Sequence, residues 1–342
     1  MLDVKYKDRE YLKGYDLDVG LFDMFGLKVI DLIPVRKVYI LVTDKGNKVL
    51  KRLSLDEEEM DFLDSVFSHL NKNGFNQMIS FDKTKENKTY YRWKDELYCL
   101  MPLVEGRESE YANPIDVDID INAIAKLHHS SKGFSPIPDL KDNRTGLIKS
   151  FEDSLGKLKL FKELVSLYED KNEFDLIFMD TVDYHLKQIE KSIELLEKSS
   201  YFELCNENDK IAFCHHDLAH HNILIKDEIA YFVDFDYAIF DLRVHDLCNF
   251  ICKVVKNFAY DFEKTKNIIK GYEIYSKLDQ RELEVLYALL YFPQDYVSIC
   301  KSYYTKIKDW EYASFLEKLK DKVSYREERE EFLSKFKKYY LL

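Results

Sequence analysis

The chain has 342 residues with 51 Lys+Arg against 63 Asp+Glu, a net charge of −12, so a bulk electrostatic attraction to nucleic acid or to an anionic membrane is not supported. Its 10 glycines are scarce, and no two lie closer than six positions. That spacing excludes the G-x-G-x-x-G dinucleotide fingerprint and the G-x-x-x-x-G-K-[ST] P-loop, both of which set glycines close together where backbone approaches phosphate.

The predicted elements begin with three short strands in meander order, 27–33, 38–43 and 48–51, the last two joined by a turn at 44–47. A helix follows, with Ser54 as N-cap and Glu57 three residues on, and apolar positions Met60, Leu63, Val66, Phe67 and Leu70, ending near Gly74. Residues 77–81, 89–93 and 96–102 read as further strands. Beyond Gly106 the periodicity turns helical, over 117–129, 145–168, 175–198, 258–276, 279–290 and 296–340. One β island interrupts the helices: 211–214, then 222–225, a turn at 226–228, and 229–233. The pattern predicts an α+β chain of two lobes, a small antiparallel β lobe with one helix over 1–103 and a large, mainly helical lobe over 104–342. A cleft between lobes is a default place for a ligand.

Six cysteines form no C-x-x-C pair and read as reduced thiols. The first 13 residues are too charged for a signal peptide, and no apolar run nears the length of a membrane span. The expectation is a protein made in the cytoplasm, with neither nucleic acid nor membrane as partner.

The β island carries the chemistry. His215-His216-Asp217-Leu218-Ala219-His220-His221-Asn222 is followed, twelve residues after Asn222, by Asp234-Phe235-Asp236. A loop carboxylate such as Asp217 can accept the proton of an attacking hydroxyl, which is the logic of phosphoryl transfer without a P-loop. Asn222, at the start of one strand, and Asp234, at the end of the next, can supply hard oxygens to one Mg²⁺, which keeps octahedral geometry and rarely takes a full protein cage. Val49-Leu50-Lys51 adds a lysine at a strand end, followed by a helix rich in early acids, Asp56, Glu57, Glu58 and Glu59. In a kinase-like fold such a lysine clamps nucleotide phosphates and is held by a helix glutamate. Glu59 is four residues before Leu63 and eight before Phe67, hence on the inward face. The alternative is a surface lysine beside acids that only favour the helix dipole.

These residues resemble the aminoglycoside phosphotransferase and choline kinase branch of the protein-kinase-like superfamily, and within it the CotS-type spore coat proteins of spore-forming bacteria. The resemblance is carried by 215–224, by Tyr231-Phe232-Val233-Asp234-Phe235-Asp236-Tyr237, by Asp241-Leu242-Arg243-Val244-His245-Asp246-Leu247, by Ala125-Lys126-Leu127-His128 and by Tyr291-Phe292-Pro293. It implies that Asp217 is the general base, and that Asn222 and Asp234 bind Mg²⁺ with help from Asp236; the histidines at 215, 216, 220 and 221 are expected to shape the catalytic loop or the acceptor site, with His215 the buried, structural one. It also implies that Lys51 meets the phosphates of ATP, that the backbone of Met101 to Val104 receives adenine, and that Asp246 braces the catalytic loop. The turn at 33–37 lacks the glycine that would bring backbone over the phosphates. Either Arg36 and Lys37 substitute charge for backbone amides, or ATP binds weakly.

The function this implies is an ATP-dependent transfer of phosphate to a hydroxyl of a small molecule or glycan, in a protein deposited in the spore coat among other coat proteins. A zinc reading of His215, His216, His220 and His221 lacks a completing ligand set. A metal phosphohydrolase reading of His216-Asp217 and His245-Asp246 conflicts with the strands that flank the first pair. The stronger alternative is a kinase-shaped structural or interaction protein of the coat, weak or inactive in catalysis. The 25 Tyr and 23 Phe fit core packing and also fit cross-linking.

Overall fold

A computed structural model describes Leu12 and residues 14–35, 38–134 and 140–342. The chain divides into two compact units, the first Met1–Asp142 with Ala219–Ala238, the second Asn143–Leu218 with Ile239–Leu342.

In the first unit, Asp18 caps a short helix α1 (Val19–Met24) by accepting the Gly20 N–H. Three antiparallel strands follow, β1 (Val29–Val35), β2 (Val38–Thr43) and β3 (Gly46–Arg52), the expected meander. Gly46, at φ 88°, turns the chain from β2 to β3 in the left-handed region that side chains resist. Strands β4 (Tyr91–Trp93) and β5 (Glu96–Pro102) complete a sheet in the order β1-β2-β3-β5-β4. Alternation points Leu32, Leu41, Leu50 and Leu100 to one face, where they bury against Leu21 and Phe22 of α1. Each such side chain contributes roughly 1.5–3 kcal/mol by leaving water.

Helix α2 (Glu57–Lys72) buries all five expected apolar positions and Phe62 as well. Its N-cap is Asp56, not Ser54: Asp56 accepts from the Glu59 N–H, and the Glu59 carboxylate accepts from the Asp56 N–H, a reciprocal capping box. Residues 77–81 are not a regular strand. Their β pairing is a single bridge, Met78 to Phe232, with Phe232 N–H donating to Gln77 C=O and Ile79 N–H to Phe232 C=O. Strand β6 (Arg107–Glu108) and helix α3 (Pro114–Ser130), capped by Asn113, come next.

The second unit contains α4 (Leu147–Ser166), α5 (Glu173–Lys198) and α6 (Tyr201–Leu204), then β7 (Ile211–Cys214). The β island divides here. Strand β8 (Ile223–Lys226) pairs with β6 on one side and with β9 (Ile229–Phe232) on the other in the first unit, whereas β7 pairs antiparallel with β10 (Ile239–Leu242) in the second. Helix α7 (Arg243–Val255), absent from the sequence reading, buries Val244, Leu247, Phe250, Ile251 and Val254. The helix expected at 258–276 is shortened to α8 (Phe262–Tyr272), because Ala259 and Tyr260 take φ of 48° and 54° and break the turn before it. Helices α5 and α9 (Gln280–Tyr291) also begin at capping boxes, Asn172 with Asp175 and Asp279 with Glu282. The expected run over 296–340 is three helices, α10 (Gln294–Tyr304), α11 (Tyr312–Ser324) and α12 (Arg326–Tyr340). Lys306, at φ 52°, falls in the first break. Glu282, fully buried, is held by Arg243 through Nε at 2.6 Å and by Lys210 at 3.0 Å, tying α7 and the residue before β7 to α9. Among the described residues no helix is long and apolar enough to cross a membrane.

Candidate active site

In the first unit, β3 presents Lys51, and the chain leaving β9 presents Asp234 and Asp236. Lys51 Nζ lies 2.6 Å from an oxygen of each carboxylate. Burial pushes the Lys51 pKa down, but the two carboxylates outweigh it and the net shift is upward, so the ammonium is fully charged. Asp234 sits at φ 63°, a left-handed conformation that aspartate tolerates better than most residues but that still stores strain. The 3₁₀ turn Phe235–Tyr237 is anchored by Phe235, whose ring meets Phe67 of α2 edge-on at 5.0 Å. Asp236 is committed at three atoms: Oδ1 to Lys51, Oδ2 to the Ser54 hydroxyl at 2.9 Å, and its C=O to Lys141 Nζ at 2.9 Å.

The sequence predicted a Lys51–Glu59 pair. Lys51 takes its carboxylates from the β9 side instead, and Glu59 pairs with Lys141 at 3.0 Å while capping α2. Helix capping is the competing use of a carboxylate in the first turn, and here it holds. Asn222 is buried and ends a 3₁₀ turn rather than opening a strand. Its C=O accepts from the Val233 N–H, placing it one residue across from Asp234. Met101 lies in β5 opposite Val49, and the Leu103 N–H donates to Asn47 C=O, so the segment to Val104 continues along the edge of β3. Cys99, opposite Lys51, is fully buried, which pushes its thiol up to about 12 and leaves it inert. Arg36 and Lys37 lie outside the described residues.

In the second unit the loop after β7 is gripped from below. Asp246 of α7, fully buried, accepts the His215 N–H at 2.7 Å and the His216 N–H at 2.9 Å. His215 is also fully buried, and its Nδ1 accepts from the Asp217 N–H at 3.3 Å. It therefore acts through the backbone of Asp217. His216 takes φ 61°, a second strained residue in the loop. Its ring meets Asp241, also fully buried, at 3.5 Å, and Asp241 accepts from His245 Nδ1 at 2.8 Å. Burial pushes the His216 pKa down, but Asp241 and Asp246 outweigh it and the net shift is upward. Burial pushes the Asp241 carboxyl up, but His245 and His216 outweigh that and hold it below its ordinary value. Asp217 itself meets Lys253 of α7, Nζ to Oδ1 at 2.7 Å.

Lys253, Lys141 and Asp241 were not found from sequence. The spacing of Asp241 and His245, four apart at a helix start, was the one available signal. Lys253 and Lys141 are ordinary lysines until the fold places them.

A family model described as "Spore coat putative kinase YutH" matches residues 19–336. The chain belongs to that family. Spore coat protein S of Bacillus subtilis is 24% identical over 310 residues, which span 89% of this chain and 88% of that protein. The crystal structure of an aminoglycoside phosphotransferase from Alicyclobacillus acidocaldarius is similar with a TM-score of 0.83 at 19% identity, covering 94% of this chain and 96% of that one. A spectinomycin phosphotransferase solved with ADP and spectinomycin is similar with a TM-score of 0.71 at 13% identity, covering 93% and 97%. At these identities the likeness is one of fold, the two-lobed protein-kinase-like fold of aminoglycoside phosphotransferases and choline kinases.

Proposed function

We propose that this member of the family is an ATP-dependent phosphotransferase that acts on a hydroxyl of a small molecule or glycan, and that it is deposited in the spore coat, the setting named for its Bacillus subtilis relative. The observation that carries the reading is Lys51 held between Asp234 and Asp236 at 2.6 Å each. Two carboxylate oxygens converging on one cation are a hard donor set, which fits Mg²⁺ better than zinc or copper. Asn222, Asp234 and Asp236 would hold Mg²⁺, which when bound neutralises charge on the transferred phosphoryl group.

The remaining roles belong to the chain. Lys51, released from one carboxylate, pairs with nucleotide phosphate, and the backbone from Met101 to Val104 receives adenine. Residues 1–103 serve as the nucleotide-binding lobe and 104–342 as the catalytic lobe, a functional division that does not coincide with the compact units. Asp217, positioned by His215 and Lys253, takes the proton of the acceptor hydroxyl as its oxygen bonds the γ-phosphorus. The bond from that phosphorus to the β,γ-bridging oxygen breaks and ADP leaves.

Calorimetry with ATP plus Mg²⁺ at millimolar concentration tests the reading, and heat of binding is the expected result. Silence under those conditions overturns the enzyme and favours a kinase-shaped structural protein of the coat.

A further inference from the structure

Lys253 of helix α7 reaches Asp217 and also lines a cavity of about 120 Å³ in the second unit. The walls of this cavity are unlike the chain as a whole. Lys253, Lys256, Lys322 and Arg329 line it, against a single lining carboxylate, Asp295, in a protein whose net charge is −12. Asp295 is shared, lying 3.4 Å from Lys256 and 3.9 Å from Lys322, while Lys322 also pairs with Asp321 and Lys253 with Asp217. Arg329 donates to Gln188 Oε1 and to the carbonyls of Leu290 and Tyr291, all neutral acceptors. Its charge is thus fixed in direction without being offset by those contacts.

Aromatic rings form part of the remaining lining. Phe292 stacks on Phe151 at 3.8 Å and Tyr296 on His185 at 3.5 Å. Burial holds the His185 pKa down at about 3, so this ring is neutral and serves as surface. A cavity lined both by cations and by ring faces selects a small molecule with an anionic group and a carbon body.

We propose that this cavity receives the phosphate acceptor, and that the acceptor is a hydroxylated small molecule bearing a phosphate or carboxylate group, its anion on Lys256, Lys322 and Arg329 and its hydroxyl toward Asp217. The assignment of the occupant as acceptor rests on the phosphotransferase reading; the anion selectivity does not.

Binding of four matched probes to the intact protein, measured by calorimetry without nucleotide, separates the two. Glycerol 3-phosphate and glycerate carry the anion, glycerol is neutral and ethanolamine cationic. The expected order places one or both anions at least about tenfold tighter than glycerol, with ethanolamine weakest. The two anion arms tell phosphate from carboxylate. The double variant Lys256→Gln/Lys322→Gln should erase the preference, and Asp295→Asn should tighten the preferred anion several-fold, a gain that misfolding cannot produce. Equal binding of glycerol and the anions, tighter binding of ethanolamine, or no gain in Asp295→Asn overturns the anion site. Anion binding without ATP consumption leaves the site standing and overturns its occupant as acceptor.

Discussion

Lys253 Nζ lies 2.7 Å from Asp217 Oδ1, with side-chain exposures of 26% and 33%. A pair this open to water adds little stability, about 0–1 kcal/mol, so its weight falls on position. Lys253→Met is expected to slow phosphotransfer about tenfold by letting Asp217 swing, with the melting temperature nearly unchanged. Asp217→Asn, which removes the base, should cut the rate by about 10²-fold or more while ATP still binds. Rates with ATP and an accepted hydroxyl compound, set beside calorimetry of the nucleotide, check both. Full activity in Asp217→Asn would show the base to be elsewhere.

The Lys51 cluster predicts a stability that depends on divalent cation. In Lys51→Met the carboxylates of Asp234 and Asp236 lose the ammonium that bridges them at 2.6 Å, and like charges are left together. The variant should melt lower than the parent in EDTA and recover with millimolar Mg²⁺, whereas the parent should respond less. An identical melting temperature in EDTA and Mg²⁺ for the variant would speak against a cation site at these oxygens.

The loop before the base should weaken at both ends of the pH scale. His216 has its pKa raised in the fold, so its contribution is complete below the unfolded value of about 6.5 and disappears as pH rises through the folded value. Asp241 has its pKa lowered, so its contribution is present above about 3.9 and disappears as pH falls through the folded value. Urea unfolding between pH 5 and 9 should show stability falling on the alkaline side, and His216→Gln should flatten that limb. A variant with the slope of the parent would remove His216 as its source.

Glu282 has no exposed surface and faces Arg243 and Lys210. Glu282→Gln leaves Arg243 facing a neutral amide while Lys210 keeps Asp279 at 2.9 Å, and a loss of about 3–5 kcal/mol is expected from breaking such a buried pair. Chemical denaturation measures it directly, and a loss below about 1 kcal/mol would show that the cations find other partners.

Strands β1 to β3 and β5 were legible because alternation and a glycine turn state them locally, and the nearness of Asn222 to Asp234 was legible because one hairpin, β8 to β9, fixes it. What escaped was long-range competition for partners. Glu59 sits on the inward face as its spacing requires, yet its carboxylate is taken by the α2 cap and Lys141. Helix α7 escaped because its opening residues, Arg243 to Leu247, carry charges that here pair inside the protein, Arg243 with Glu282 and His245 with Asp241. The segment at 77–81 has strand-like residues but only one bridge to pair with, and strand propensity without a partner makes no strand.

Helix α2 and Lys51 are joined through the turn at 234–236 and not by a direct pair. Phe67 of α2 packs on Phe235, and Lys141 links Glu59 to the Asp236 carbonyl, so a displacement of α2 is felt at the turn whose carboxylates hold the lysine. A molecule that unseats the helix would therefore loosen Lys51 without touching it.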